Sequence, residues 1–229
     1  MFKGAAQAAT FCAALRQADL GDCDVVVCPP YVSLQASLDA LEGSGVAVWA
    51  QSVHWAEDGA FTGEISAGML AQIGVSGAIV GHSERRQYFA ETDETVAART
   101  QAALARGLSV IACVGESGAE REAGMTEAVL ARQVDAIAQV ATAGEKLVIA
   151  YEPVWAIGTG KTATPQMAQA AHAFIKARLD VAVLYGGSVK PENAAELAAQ
   201  PDVDGALVGG ASLEVDAFAE ICRAAGSAL

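Results

Sequence analysis

The chain has 229 residues, 53% of them hydrophobic, which is enough apolar material for one large α/β domain. Its net charge of −13 argues against nucleic acid or an anionic membrane as a partner, because such a field repels phosphate polymers. No apolar run approaches the ~20 residues of a membrane span, and Met1-Phe2-Lys3-Gly4 lacks the apolar core of a signal peptide.

Taken in order, the chain opens on a helical stretch at 5–18, with no strand before it. Short β-branched apolar runs then alternate with longer Ala-rich amphipathic ones. The runs predict strands at 24–28, 46–50, 77–80, 109–113, 146–151, 181–185 and 205–208. Helices are expected near 32–42, 66–73, 91–106, 126–141, 165–178, 191–197 and 213–227. Strands that alternate with helices and read as unbroken apolar runs belong to a parallel sheet buried on both faces. No Pro/Ser-rich linker interrupts the series, so one domain over 1–229 is expected, a TIM (β/α) barrel rather than a doubly wound sheet. The count is eight helices and seven strands. A regular eight-fold barrel needs one more strand at its start, so this one is expected to be N-terminally incomplete.

The five cysteines (Cys12, Cys23, Cys28, Cys113, Cys222) show no framework spacing, as suits a reduced cytoplasmic protein. The three histidines (His54, His82, His172) are scattered without metal-ligand spacing, so no metal is expected.

Polar residues gather at the predicted strand ends, where a barrel keeps its active site. The run Leu147-Val148-Ile149-Ala150-Tyr151 closes on Glu152, followed by Pro153-Val154-Trp155-Ala156-Ile157-Gly158-Thr159-Gly160-Lys161-Thr162. That order suits a general base on a rigid strand end beneath a glycine-tipped lid, which would keep water from a carbon-bound proton transfer. Ala78-Ile79-Val80 leads into Gly81-His82-Ser83-Glu84-Arg85-Arg86, placing His82 at a helix start whose dipole favours a neutral ring. Two consecutive strand ends carry paired glycines, Tyr185-Gly186-Gly187-Ser188 and Leu207-Val208-Gly209-Gly210-Ala211-Ser212. Backbone N–H groups in such loops can approach a phosphate closely, in the place where barrels of this kind bind one.

These four segments, in this order, resemble the triosephosphate isomerase family through nearly the whole chain. The resemblance implies interconversion of dihydroxyacetone phosphate and glyceraldehyde 3-phosphate through an enediol(ate), with no cofactor. It implies Glu152 as the base and His82 as the group that polarises the carbonyl and shuttles the oxygen-bound proton. Gly158, Ser188, Gly209 and Gly210 would hold the phosphate. Ile157 and Leu207 would shield Glu152 from water, and Ser83, Glu84 and Cys113 match positions just behind the reacting groups. Pro153-Val154-Trp155 and Lys161-Thr162-Ala163 match the family's lid hinges. Residues 51–64 resemble the loop that enters the partner subunit, so a homodimer or larger homo-oligomer is implied, with a small phosphorylated three-carbon substrate.

Two departures accompany the likeness. Family members begin with a strand ending Asn-Trp-Lys-Met, whose asparagine and lysine contact substrate. Met1 falls in the place of that Met, and Lys3 is three positions too late to replace the lysine. Between Leu179 and Val183 the chain is about ten residues shorter than usual. The expectation is an isomerase of strongly reduced activity, whose natural reading frame continues upstream, with two sheet edges, 24–28 and 205–208, that favour association. The competing readings are a non-catalytic triose-phosphate-binding descendant and another phosphate-handling barrel enzyme.

Overall fold

A computed structural model of the chain describes residues 1–141, 146–157 and 163–226. Seven strands form one parallel sheet in chain order: β1 (Val26–Val27), β2 (Ala47–Ala50), β3 (Gly77–Val80), β4 (Ser109–Val114), β5 (Leu147–Tyr151), β6 (Ala182–Tyr185) and β7 (Gly205–Ala206). Around it run α1 (Ala5–Leu15), α2 (Leu34–Leu41), α3 (Ala67–Gln72), α4 (Ser83–Phe89), α5 (Asp93–Ala105), α6 (Gly118–Glu122), α7 (Thr126–Ala138), α8 (Pro165–Lys176), α9 (Pro191–Ala198) and α10 (Val215–Gly226). None of these helices is long and apolar enough to cross a membrane. Ten described α-helices exceed the eight expected because α4 and α6, of 7 and 5 residues, are short helices that follow strand ends closely. Both are started by side chains: His82 caps α4, and Ser117 Oγ accepts the Glu120 N–H at 3.3 Å to start α6.

The central strands are buried because both faces are covered. β3 is wholly buried, and β4 is buried from Val110 to Val114. One large cluster joins Val80, Val110, Ala112, Ile149, Tyr151 and Val183 to the helices outside. A smaller cluster of Ile79, Ile111, Cys113 and Ala150 fills the concave side. The alternation within a strand therefore divides inside from outside, although nearly every residue is apolar.

The parallel register sends every strand's carboxyl end to one rim. Val114 pairs with Tyr151, and Tyr151 with Tyr185. The ladder continues one residue further: Glu152 N–H donates to Val114 O at 2.7 Å, Gly186 N–H to Tyr151 O at 2.7 Å, and Leu207 N–H to Tyr185 O at 2.9 Å.

The two outermost strands are shorter than the sequence pattern predicts. β1 keeps two residues of the expected 24–28, and β7 two of 205–208. Each pairs on one side only, with β2 and β6 respectively, so no second ladder holds the rest in register. Among the described residues β1 and β7 do not pair, and the curled sheet stays open between them. Behind the opening, α1 and α10 bring Leu15, Phe218 and Cys222 against Val25, with Val27 and Val208 packed on that group. Lys3 precedes α1 with its ammonium over the Phe11 ring at 4.9 Å, and its carbonyl accepts the Ser33 hydroxyl at 2.9 Å. The short passage from α8 to β6 is bridged by the buried Leu179 and Val181.

Beneath the rim, α8 buries His172 completely. Its Nδ1 lies 3.1 Å from Asp202 O, and its ring meets Tyr151 edge-on at 5.9 Å and Tyr185 at 6.3 Å. Desolvation lowers its pKa from 6.5 to about 4, against smaller opposing effects from Asp202 and Asp204. The folded chain thus holds fewer protons than the unfolded chain between those values. Stability from this residue is intact above pH 6.5 and is lost as pH falls toward 4. Urea unfolding at pH 7 and pH 5 should differ by about 2 kcal/mol more in the natural chain than in His172→Gln. An equal difference in both would refute this account.

Candidate active site

Glu152 follows the last residue of β5, and its backbone is still tied to β4, so its side chain starts from a rigid position. It is 2% exposed. A buried carboxylate is costly unless its oxygens are satisfied, and here α4 satisfies them. Oε2 accepts the Ser83 N–H at 2.9 Å and Oε1 accepts the Ser83 hydroxyl at 2.9 Å. Ser83 is the first residue of α4, so the charge also faces the positive end of that turn.

His82 reaches the same carboxylate, with Nε2 at 3.2 Å from Glu152 Oε1. Its Nδ1 accepts the Glu84 N–H at 3.3 Å, which leaves Nε2 as the nitrogen carrying the proton. The helix start thus selects the tautomer that points N–H into the site, as the position of His82 in the sequence suggests. Gly81 makes the turn possible. It sits at φ +69°, and a Cβ there would meet Val96 Cγ2 at 2.8 Å and Cys113 O at 3.2 Å.

The Cys113 thiol closes the floor of the site and is fully buried. Burial first, and then the Glu152 carboxylate it hydrogen-bonds, push its pKa well above the usual thiol range, so it stays neutral. Glu84 does its work through its backbone; the carboxylate is largely exposed, with Oε2 at 3.9 Å from His82 Nδ1.

The glycine loops border Glu152. A Cβ on Gly186 would lie 2.9 Å from Glu152 Cγ and 3.1 Å from Tyr151 O, so only glycine lets the β6 end pass this close. Gly187 lies directly against the Tyr185 hydroxyl, a buried group without a hydrogen-bond partner among the described residues. Ser188 O accepts from Asn193 Nδ2 at 3.0 Å, fixing the loop to α9. Gly209 and Gly210 are exposed with open space where a Cβ would stand, and Ser212 N–H donates to Gly209 O at 2.9 Å in a 3-10 turn. Leu207 is half-buried against the concave-side cluster containing Cys113. Ile157 is half-buried at the end of a described stretch, while Gly158, Lys161 and Thr162 lie outside the described residues. Glu152, His82, Ser83 and Cys113 therefore come together, with Gly186 against them; Glu84 stands at the edge.

The sequence pattern did not single out Glu116. It is fully buried and accepts from Tyr151 OH at 3.1 Å, Trp155 Nε1 at 2.9 Å and Arg121 Nη1 at 3.3 Å. Arg121 also stacks on Trp155 at 4.3 Å. Glu116 so holds the start of the segment after Glu152. Its signal was available: like His82 and Glu152, it is a titratable residue just past an apolar strand run.

Among the described residues, His82 is the only basic side chain within 4.0 Å of the Glu152 carboxylate. The Arg86 guanidinium, on α4, is engaged with Gly81 O, Asp93 and Cys113 O. A surface cavity of about 430 Å³ lies at the opposite, amino-terminal ends of β2 and β3, lined by Leu38, Asp39, Val46 and Ser76. It brings no imidazole, thiol or glycine loop together.

The site is thus a buried carboxylate in contact with an imidazole N–H, bordered by glycine loops able to take an anion. Comparison with known proteins supplies the family. The family model described as triosephosphate isomerase matches residues 1–225. A triosephosphate isomerase of Carboxydothermus hydrogenoformans is 51% identical over 97% of this chain and 94% of its own length. One from Thiobacillus denitrificans is 54% identical over 96% and 93%, and one from Solibacter usitatus 52% identical over 87% and 85%. The chain belongs to the triosephosphate isomerase family.

Proposed function

We propose that this chain interconverts dihydroxyacetone phosphate and glyceraldehyde 3-phosphate by proton transfer through an enediol(ate), as a cytoplasmic enzyme. The contact of Glu152 with His82 Nε2 at the carboxyl rim carries the reading. Glu152 takes the proton from C1 of the ketose and returns it to C2. His82 Nε2–H donates to the carbonyl oxygen and carries the proton between the two substrate oxygens. In the arrangement described, Ser83 occupies both oxygens of Glu152, so the base works only after leaving Ser83. The phosphate would rest on N–H groups of Gly158, Ser188, Gly209 and Gly210, with Ile157 and Leu207 excluding water.

That His82 alone, among the described residues, brings a basic side chain within 4.0 Å of the Glu152 carboxylate favours slow turnover. A missing preorganised donor to a developing oxyanion costs on the order of 10²–10³ in rate. The same feature favours the alternative, a chain that binds triose phosphate without converting it. Glu152 and His82 favour catalysis, because binding a phosphate needs neither. Turnover of glyceraldehyde 3-phosphate by the 229-residue chain should fall about 10³-fold in Glu152→Gln. Identical rates in both, with triose-phosphate binding retained, would establish the alternative.

Gly187→Ala tests the phosphate loop, because the new methyl group collides with the Tyr185 hydroxyl. It should raise KM for the phosphorylated substrate and lower stability by about 1–3 kcal/mol. An unchanged KM would separate this loop from substrate binding.

We also propose self-association through residues 51–64. Trp55 and Phe61 are 41% and 42% exposed there, packed on the buried His54 ring at 4.1 and 4.3 Å. Exposed aromatic rings held rigid in this way suit a protein interface. Light scattering at micromolar concentration should report a dimer or larger, shifted toward monomer by Phe61→Asp. A well-folded monomer of the natural chain would sink the proposal.

A further inference from the structure

Two of the five cysteines meet across the ends of the described fold. Cys23 stands in the connection from α1 to β1, and Cys222 in the last helix, α10. Cys23 packs against the apolar group that contains Cys222, and each thiol bears on the other's titration. The pairing is built by the backbone around it. Gly21 approaches the Arg223 Cα, where a Cβ would stand at 3.2 Å, and Gly226 approaches the Asp22 backbone at 3.1 Å. Arg223 Nη1 donates to Asp19 O at 2.8 Å, and Cys23 Sγ donates to Leu20 O at 3.3 Å. The connection thus wraps the last turns of α10 closely enough to bring the two cysteines together. Among the described residues neither thiol is bonded to Glu152 or His82, so the reaction proposed at the rim does not explain the pair.

We propose that Cys23 and Cys222 form a reversible disulfide that closes the fold across the open edge between β1 and β7. Cys23 leads directly toward β1, and Cys222 packs with Leu15, Val25 and Phe218 on the group that Val27 and Val208 join. A bond here ties the element before one edge strand to the helix behind the other. It joins residues far apart in sequence, the case in which a cross-link most restricts the unfolded chain.

The chemistry is thiol–disulfide exchange with a small or protein disulfide. The Cys23 thiolate attacks one sulfur of the disulfide and expels the first thiolate, leaving a mixed disulfide on Cys23. The Cys222 thiolate then attacks the Cys23 sulfur and expels the second. Two cysteine thiols become one disulfide, the oxidant becomes two thiols, and the two protons lost from the cysteines end on those thiols. Cys23 reacts first because it is half-exposed while Cys222 is buried. Burial raises the pKa of both thiols, that of Cys222 to about 12, so the exchange is slow at neutral pH and quickens as pH rises. Asp22 and Asp24 raise Cys23 further, which makes an uncharged disulfide the fitting reagent.

The test is treatment of the folded chain with hydroxyethyl disulfide at pH 8.5, followed by mass analysis of unreduced peptides cut before aspartate, where cleavage at Asp22 and Asp24 separates Cys23 from Cys28. The expected product is a Cys23–Cys222 linked peptide, a loss of two hydrogens from the intact chain, and reversal by a phosphine reductant. The oxidised chain should melt about 5–10 °C higher than the reduced one. Cys23→Ser should take no internal cross-link, and Cys222→Ala should accumulate the mixed disulfide on Cys23. If either variant fails to fold, the peptide map of the natural chain decides alone. A stable adduct on Cys23 without the cross-link, or a link between other cysteines such as Cys28 and Cys113, would overturn the proposal. So would a cross-linked chain that melts no higher than the reduced one.

Discussion

The hydrogen bond from Glu152 N–H to Val114 O is the constraint on which the site depends. It extends the β4–β5 ladder one residue past the strand, so the Glu152 side chain leaves the sheet in a single direction. The equivalent bonds of Gly186 and Leu207 do the same for their loops. A slip of one residue would turn the inward faces of these strands outward and remove Glu152 from His82. Because both faces of the central strands are buried, such a slip would cost most of the core. The site inherits its precision from that penalty.

From this fixed start, the electrostatics of Glu152 are local. The chain as a whole is strongly acidic and would repel an anionic substrate. On the proposed function, backbone N–H groups and a helix start at the rim would offset this. Ser83 donates twice to the carboxylate, His82 presents N–H because Glu84's backbone occupies its other nitrogen, and Cys113 remains neutral. Each partner of the base is itself held by the backbone of a strand end or a helix turn. This limits how far the base can move without another group moving too.

The open edge shows the opposite situation. β1 and β7 each have a ladder on one side only, and each shrinks to two residues. What remains ordered there is held by side chains, through Leu15, Val25, Phe218 and Cys222 between α1 and α10. Packing substitutes for hydrogen bonding along this seam. It leaves strand-edge groups without sheet partners, the situation in which association or a covalent tie gains most. Cys23 and Cys222 stand where such a tie would act.

The sequence alone determined much of this. Strand and helix alternation placed β3 at the residues predicted, and the other central strands within a residue, because buried parallel strands are unbroken apolar runs bounded by polar ones. Glu152, His82 and the paired glycines stood out for a related reason: each follows closely on the end of an apolar run. The tertiary structure decided what depends on neighbours distant in the chain. The lengths of β1 and β7 follow from partners, not from their own β-branched residues. Glu116 became part of the site only when Tyr151, Trp155 and Arg121 converged on it. Cys23 and Cys222 show no spacing that pairs them, and only the path of the chain ends around α10 brings the two cysteines together. Local pattern sets which elements form and which residues crown them, while the packing of remote segments sets which of those residues can touch.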